Sequence, residues 1–182
     1  MRHVGTSQLE TRRLILRRFT IDDAQAMYRN WASDEEVTRY LTWPAHADVG
    51  VSRAVLRDWV QSYSEGSFYQ WAIVPRDNGD APIGSIGAVR IDDGTSTVEI
   101  GYCIGRSWWH QGITSEALHA VIEFFFERVE VRRVEAKHDL RNPHSGMVMQ
   151  KCGMSYQGTE RNAAYNNQGV CDVARYASVK EN

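Results

Sequence analysis

Between Phe68 and Val129 the spacing of apolar residues changes character, and that change limits the possible folds more than any other feature. "FYQWAIVPR", "PIGSIGAVRI" and "TVEIGYCIG" carry the period of two expected of strands. The turn-forming pairs Asn78-Gly79 and Asp93-Gly94 separate them. Straight after the third run, Ile113, Ala117, Leu118, Val121, Ile122 and Phe125 fall on one helical stripe. Three hairpin-connected strands that feed an amphipathic helix call for one sheet with a helix packed on it.

The flanking sequence extends that pattern. "LETRRLILRRF" reads as a strand, and Thr20 with Asp23 has the spacing of a capping box ahead of the helix "IDDAQAMYRNWA". Ser33 with Glu36 repeats the spacing before the short helix "DEEVTRYL", and Pro44 breaks regular structure. "VGVSRAVLRDWVQSYSEG" places Val51, Val55 and Trp59 at helical spacing and stops at Gly66. After the central helix, "VRRVEAKHDL" is a strand and "NPHSGMVMQKCG" a short helix, with Asn142 as N-cap and Pro143 in the first turn. "MSYQGTE" and "VCDVARYASV" are final strands separated by the polar loop "RNAAYNNQG". The expected class is α+β: one mixed, mostly antiparallel central sheet of about seven strands, with helices on both faces.

Bulk properties narrow the function. The 182 residues fit one domain over 1–182, and a net charge of −2 gives no support to a nucleic-acid surface or a polybasic membrane patch. No apolar run approaches the length of a membrane span, and "MRHVGTSQLE" lacks a signal-peptide core. Cys103, Cys152 and Cys171 are odd in number and widely spaced, which fits a reducing cytoplasm better than a disulfide framework. The histidines form no H-x-x-x-H or Cys/His cluster, so no metal site is expected.

The start of the central helix is unusual. "WWHQGITSEAL" offers Gly112 and small polar residues where the first backbone N–H groups have no internal partner. Those groups and the helix dipole make an anion site, and Gly112 lets a phosphate approach the backbone. Many helices begin this way and bind nothing. A charge at a helix end gains roughly 0.3–2 kcal/mol, against about 8 kcal/mol for micromolar binding, so a ligand held here must also be held elsewhere. Neither G-x-x-x-x-G-K-[ST] nor G-x-G-x-x-G is present.

"LETRRLILRRFTIDDAQAM", "IGSIGAVRID", "VEIGYCIGRSWWHQGITSEAL", "RNPHSGMVMQKCGM" and "GVCDVARYA" together resemble the GNAT superfamily of N-acetyltransferases, in particular its RimJ/RimL-like branch. The resemblance spans nearly the whole chain. It implies acetyl-CoA as co-substrate, with the diphosphate on the N–H groups of Gln111, Gly112, Ile113, Thr114 and Ser115, beside Trp109 and His110. In the family loop [RQ]-x-x-G-x-[GA], Trp109 stands first and Thr114 last, and Thr114 is a departure. The resemblance also implies that the pantetheine arm adds to the strand edge at Tyr102, Cys103 and Ile104, with Asn142 beside it.

Transfer to an amine requires a proton acceptor, an oxyanion donor and relief for the leaving thiolate. Glu99 is the candidate base, acting through water, and shielding by Tyr and Trp would raise its pKa. A solvated glutamate on a polar strand face is the equal alternative. Glu116, in the first helical turn, reads as structural. The tyrosine that many relatives use as acid is replaced by Met149, and Ser145 is the substitute that the branch suggests. Asn142 and Ser145 also fit ordinary roles as N-cap and first-turn residue.

Acceptor selection is assigned to the variable segments, with Trp31, Tyr40, Trp43 and Tyr165 as walls of an amine pocket or as core residues. A protein N-terminal α-amine is the first expectation. A small amine (amino sugar, polyamine or amino acid) is the second, and a non-catalytic CoA-binding sensor is the third. The branch also suggests a homodimer.

Overall fold

The computed structural model describes residues 1–180. Eight strands form one sheet in the order β1-β2-β3-β4-β5-β6-β8-β7: Leu9–Glu10, Leu14–Arg17, Gln70–Pro75, Gly84–Asp92, Thr97–Ile104, Arg133–Asp139, Ser155–Asn166 and Gly169–Val179 for β1 to β8 in chain order. The count exceeds the expected seven because the opening strand is split. A turn through Thr11–Arg13 folds β1 back on β2, where Leu9 faces Leu16.

Every neighbouring pair is antiparallel except β5 with β6. A parallel pair needs a crossover, and α4 (Ile113–Phe124) supplies it. All six residues of the predicted stripe are buried, Phe125 among them in the π turn that continues the helix. They pack on Leu14, Leu16, Trp71, Ile73, Ile86, Val98 and Val134 from five strands. α5 (Pro143–Lys151) lies on the same face and buries Met149.

The other face carries α1 (Ala24–Met27), α2 (Glu35–Thr38) and α3 (Val49–Ser62). A 3₁₀ turn leads into α1 and a π turn leaves it, so residues 21–32 wind continuously as expected. Asp23 reaches back to the Thr20 N–H at 2.8 Å, completing the predicted capping interaction. Two details differ from the sequence reading. Asp34, not Ser33, caps α2, accepting from the Glu36 N–H at 3.0 Å. In α3 the inward stripe runs through Val49, Ser52, Leu56, Trp59 and Tyr63, of which Ser52 and Leu56 are buried and the rest half-buried; the predicted Val55 also packs half-buried against this cluster, and Val51 is exposed. That 3-4-3-4 spacing follows a helix face better than Val51-Val55-Trp59 does.

"RNAAYNNQG" is mostly not a loop. β7 continues to Asn166, and the chain reverses over Asn167 and Gln168, with Gly169 at φ +89°.

Candidate active site

β5 and β6 pair over only three residues each, Thr97–Glu99 against Arg133–Glu135, and then part. β6 remains paired to β8 as far as Asp139, so the far half of β5 has an open edge. Hydrogen bonding decides which groups face the gap. Gly105 N–H donates to Ile83 C=O at 2.8 Å, and Ala88 N–H donates to Tyr69 C=O at 2.9 Å. Hydrogen-bonded pairs in an antiparallel ladder recur every second residue. Both contacts therefore commit the odd-numbered residues of β5, Cys103 among them, to β4. The even residues, Tyr102 and Ile104, aim their backbone groups into the gap. The Trp109 indole N–H takes the Ile104 carbonyl at 2.9 Å, leaving the Ile104 N–H and both Tyr102 groups free for a ligand.

The gap opens into a cleft of about 200 Å³, lined by β5, the loop before α4 and the first turns of α4 and α5. One end is the start of α4. Gly112 is its N-cap in the left-handed region, φ +73°, and His110 is also left-handed at φ +61°. No N–H from Gln111 to Ser115 has an acceptor within the protein among the described residues. Five adjacent donors thus stand free at the positive end of a helix dipole. Arg13 braces the loop, donating to the Gln111 carbonyl at 3.0 Å. Glu116 accepts from Thr11 Oγ1 (2.6 Å), the Arg13 N–H (2.9 Å) and Arg13 Nε (2.6 Å). Burial alone would raise its pKa, but these bonds and the Arg13 charge outweigh burial and lower it. This is the structural role expected of Glu116.

The opposite wall is the first turn of α5. Ser145 Oγ lies 3.3 Å from the Tyr102 hydroxyl, which itself donates to the Ser145 carbonyl at 3.0 Å. The bond ties β5 to α5 across the gap. Burial pushes the Tyr102 phenol well above its usual pKa. The Asn142 side chain makes no cap bond, contrary to the sequence expectation, and lines the cleft instead. Its position depends on Asp139, which holds the Arg141 guanidinium at 2.6 Å, takes the Asn166 amide at 2.8 Å and accepts the Asn142 N–H on its carbonyl at 2.8 Å.

The cleft therefore gathers Tyr102, Cys103, Ile104, Trp109, His110, Gly112, Ile113, Thr114, Ser115, Asn142, Ser145 and Tyr40 from the sequence candidates. Gln111 supplies its backbone at the loop. Cys103 enters through its side chain only, with Sγ 3.4 Å from Ser85 Oγ, and burial raises its thiol pKa.

Four candidates lie elsewhere. Trp31 is fully buried under α1 and α3, a core residue. Trp43 packs on the same cluster and against His46, ring centroids 5.1 Å apart. Tyr165 is 68% exposed on β7. Glu99 is buried at the closed end of the gap, outside the cleft lining, and its neighbours are cations rather than the expected Tyr and Trp. Lys137 Nζ stands 2.9 Å from one carboxylate oxygen, and Arg90 and Arg175 stand 3.5 and 3.7 Å from the other.

Sequence reasoning missed Val37, Leu41, Trp108, His144, Met147, Val148 and Lys151. A signal existed for the α5 residues. His144, Met147, Val148 and Lys151 share the helix face of Ser145 by i, i+3/i+4 spacing. The His144 ring meets that of His110 edge to face at 4.8 Å across the cleft mouth.

Residues 13–155 match the Acetyltransferase (GNAT) domain family. The chain is 30% identical over 172 residues to an uncharacterized N-acetyltransferase p20 of Bacillus licheniformis, covering 94% of this chain and 96% of the relative. It is 36% identical over 100 residues to the ribosomal-protein-serine acetyltransferase of Escherichia coli (strain K12), covering 55% and 56%. Among solved structures, the ribosomal L7/L12 alpha-N-protein acetyltransferase RimL in complex with coenzyme A superposes with a TM-score of 0.83 at 21% identity, covering 95% and 98%. The chain belongs to the GNAT family of acetyltransferases.

Proposed function

We propose that this GNAT acetyltransferase, acting as one domain, binds acetyl-CoA in the cleft and transfers its acetyl group directly to a protein N-terminal α-amine. The observation that carries the reading is the pairing of two sets of free donors in one cleft. Five unpaired N–H groups at the α4 start suit a diphosphate, and the unpaired edge of β5 suits an amide-containing arm. Two separated anchor points answer the energetic objection to a helix end acting alone.

Acetyl-CoA supplies an activated acyl thioester. The chain's own residues then hold and polarise. The N–H groups of Tyr102 and Ile104 point into the gap, where an acyl oxygen gaining negative charge would meet a fixed donor. Met149 is buried in the core, so the α5 position that holds a tyrosine in many relatives can give no proton. Ser145 Oγ and the Tyr102 hydroxyl form the hydroxyl pair nearest that role. Cys103 is the one thiol lining the cleft among the described residues, and burial raises its pKa, which disfavours the thiolate. Direct attack by the amine fits this better than an acyl-cysteine intermediate.

The choice of an N-terminal amine is supported by the E. coli relative, named for acetylating a ribosomal protein. The test is free-thiol release from acetyl-CoA with peptides beginning with Ser, Ala or Met, beside polyamines, amino sugars and amino acids. Release with peptides alone is expected. Release with small amines alone would replace the acceptor. No release at all, with acetyl-CoA still bound, would point to the sensor reading.

A further inference from the structure

The β7–β8 turn makes contacts that neither the fold nor cofactor binding requires. Asn166 and Asn167 are adjacent and reach in different directions. Asn166 is buried, and its amide donates to Asp139 at 2.8 Å, at the end of β6 where the chain turns into α5. Asn167 crosses to the segment between α2 and α3. Its N–H donates to the Leu41 carbonyl at 3.1 Å, and its Nδ2 donates to the carbonyls of Thr38 and Trp43, each at 2.8 Å.

These partners belong to different halves of the molecule. The sheet divides where β5 and β6 part. The segment 38–43 belongs with the helices over β2 and β3, whereas the β7–β8 turn belongs to the half beyond β6. Tyr40 and Leu41, within the clasped segment, line the same cleft as Tyr102 and Ser145. The gap is thus bounded at one end by the three-residue β5–β6 pairing and at the other by Asn167.

Resting on the acetyl-CoA reading above, we propose that Asn167 is a positioning residue that closes the acceptor side of the cleft into a ring. It fixes the Tyr40–Leu41 wall of the cleft. The chemistry of the clasp is specific. Two backbone carbonyls converge on one side-chain amide, so the group must be a double donor. A carboxylate there meets two acceptors and repels both. A closed ring also keeps water from the thioester, whereas an open one lets water take the amine's place, giving acetate, free CoA thiol and a proton.

The test compares the full-length chain with Asn167→Asp and with a control in the same turn, Gln168→Ala. Three quantities are read: acetyl-CoA affinity by calorimetry, free-thiol release with no acceptor, and amide exchange over residues 36–45. Asn167→Asp should speed exchange in that segment and raise acceptor-free thiol release several-fold, with affinity within about twofold of wild type because the anion site is untouched. Gln168→Ala should change none of the three. Unchanged exchange in Asn167→Asp would show that the clasp does not hold the wall. Faster exchange with unchanged thiol release would show that the wall does not guard the thioester. Either result overturns the proposal. Failure of wild type to bind acetyl-CoA would overturn the underlying function as well, and the affinity measurement tells that case apart.

Discussion

Glu99 shows how the same residue reads differently once its neighbours are known. The strand pattern placed it one turn of the pleat before the open edge, where a carboxylate with aromatic neighbours would make a base. The fold instead surrounds it with Lys137, Arg90 and Arg175, drawn from β6, β4 and β8. No local pattern announces that, because the register of β6 on β8 is set by Val134 and Ala136 packing beneath α4. The alternation that buries those two forces Lys137 to the opposite face. Glu99→Gln should therefore damage stability more than turnover. The loss of the carboxylate removes the partner of Lys137, whereas Arg90 keeps Glu135 and Arg175 keeps Glu160, so the cost is about 1–2 kcal/mol, below the value for a fully buried pair. Acetyl transfer should fall by less than about tenfold, short of the roughly 10²–10⁴ expected from a general base. Urea unfolding and initial rates on the same preparation check this. A hundredfold rate loss with wild-type stability would return the base role to Glu99.

At the scale of elements, the parts that obey a local period were legible and the parts set by long-range pairing were not. The α4 stripe and its glycine start could be read because both lie within one stretch of chain. The extent of β7 could not, because "RNAAYNN" has no apolar alternation and becomes a strand only by pairing with β8, with Asn162 in the left-handed region taking up a bulge. Asn142 was legible from spacing as a helix start and as a cleft residue only through the family resemblance, since its orientation follows from Asp139 tying β6, Arg141 and Asn166 together. That junction makes a pH-dependent claim. Burial alone would raise the Asp139 pKa, but the bonds from Arg141 and Asn166 hold it well below the usual carboxylate range. A folded pKa below the unfolded one means the group binds fewer protons in the native state. Its stabilisation is complete above the unfolded value of about 3.9 and fades as pH falls towards the folded one. Asp139→Asn should thus lose about 1–2 kcal/mol at neutral pH, a gap that stays level down to about pH 5 and narrows below about pH 4. Urea titrations of both proteins across that range measure it. A gap that closes between pH 6 and 7 would assign the effect to another group.

Across the whole molecule, α4 connects stability and function. Its buried face packs on strands from both sides of the gap, while its first turn is free of internal partners. An anion that satisfies those N–H groups fastens to the element that unites the two halves, so ligand binding should appear as resistance of the entire fold to heat. Acetyl-CoA at a hundred times its dissociation constant should stabilise by about 2.7 kcal/mol. For a chain of this length that corresponds to a rise of roughly 5–10 °C in the melting temperature. Gly112→Val isolates the source. A Cβ there would find only the Arg13 guanidinium, at 3.6 Å, so crowding within the protein is slight. The φ of +73° disfavours a β-branched residue by at least about 1–2 kcal/mol, and the new side chain takes up space beside the free donors. The variant should melt slightly below wild type without ligand and gain little or nothing when acetyl-CoA is added, as followed by calorimetry. A full ligand-induced rise in Gly112→Val would mean that the start of α4 does not hold the cofactor. The exposed edge of β5 would then have to account for binding by itself.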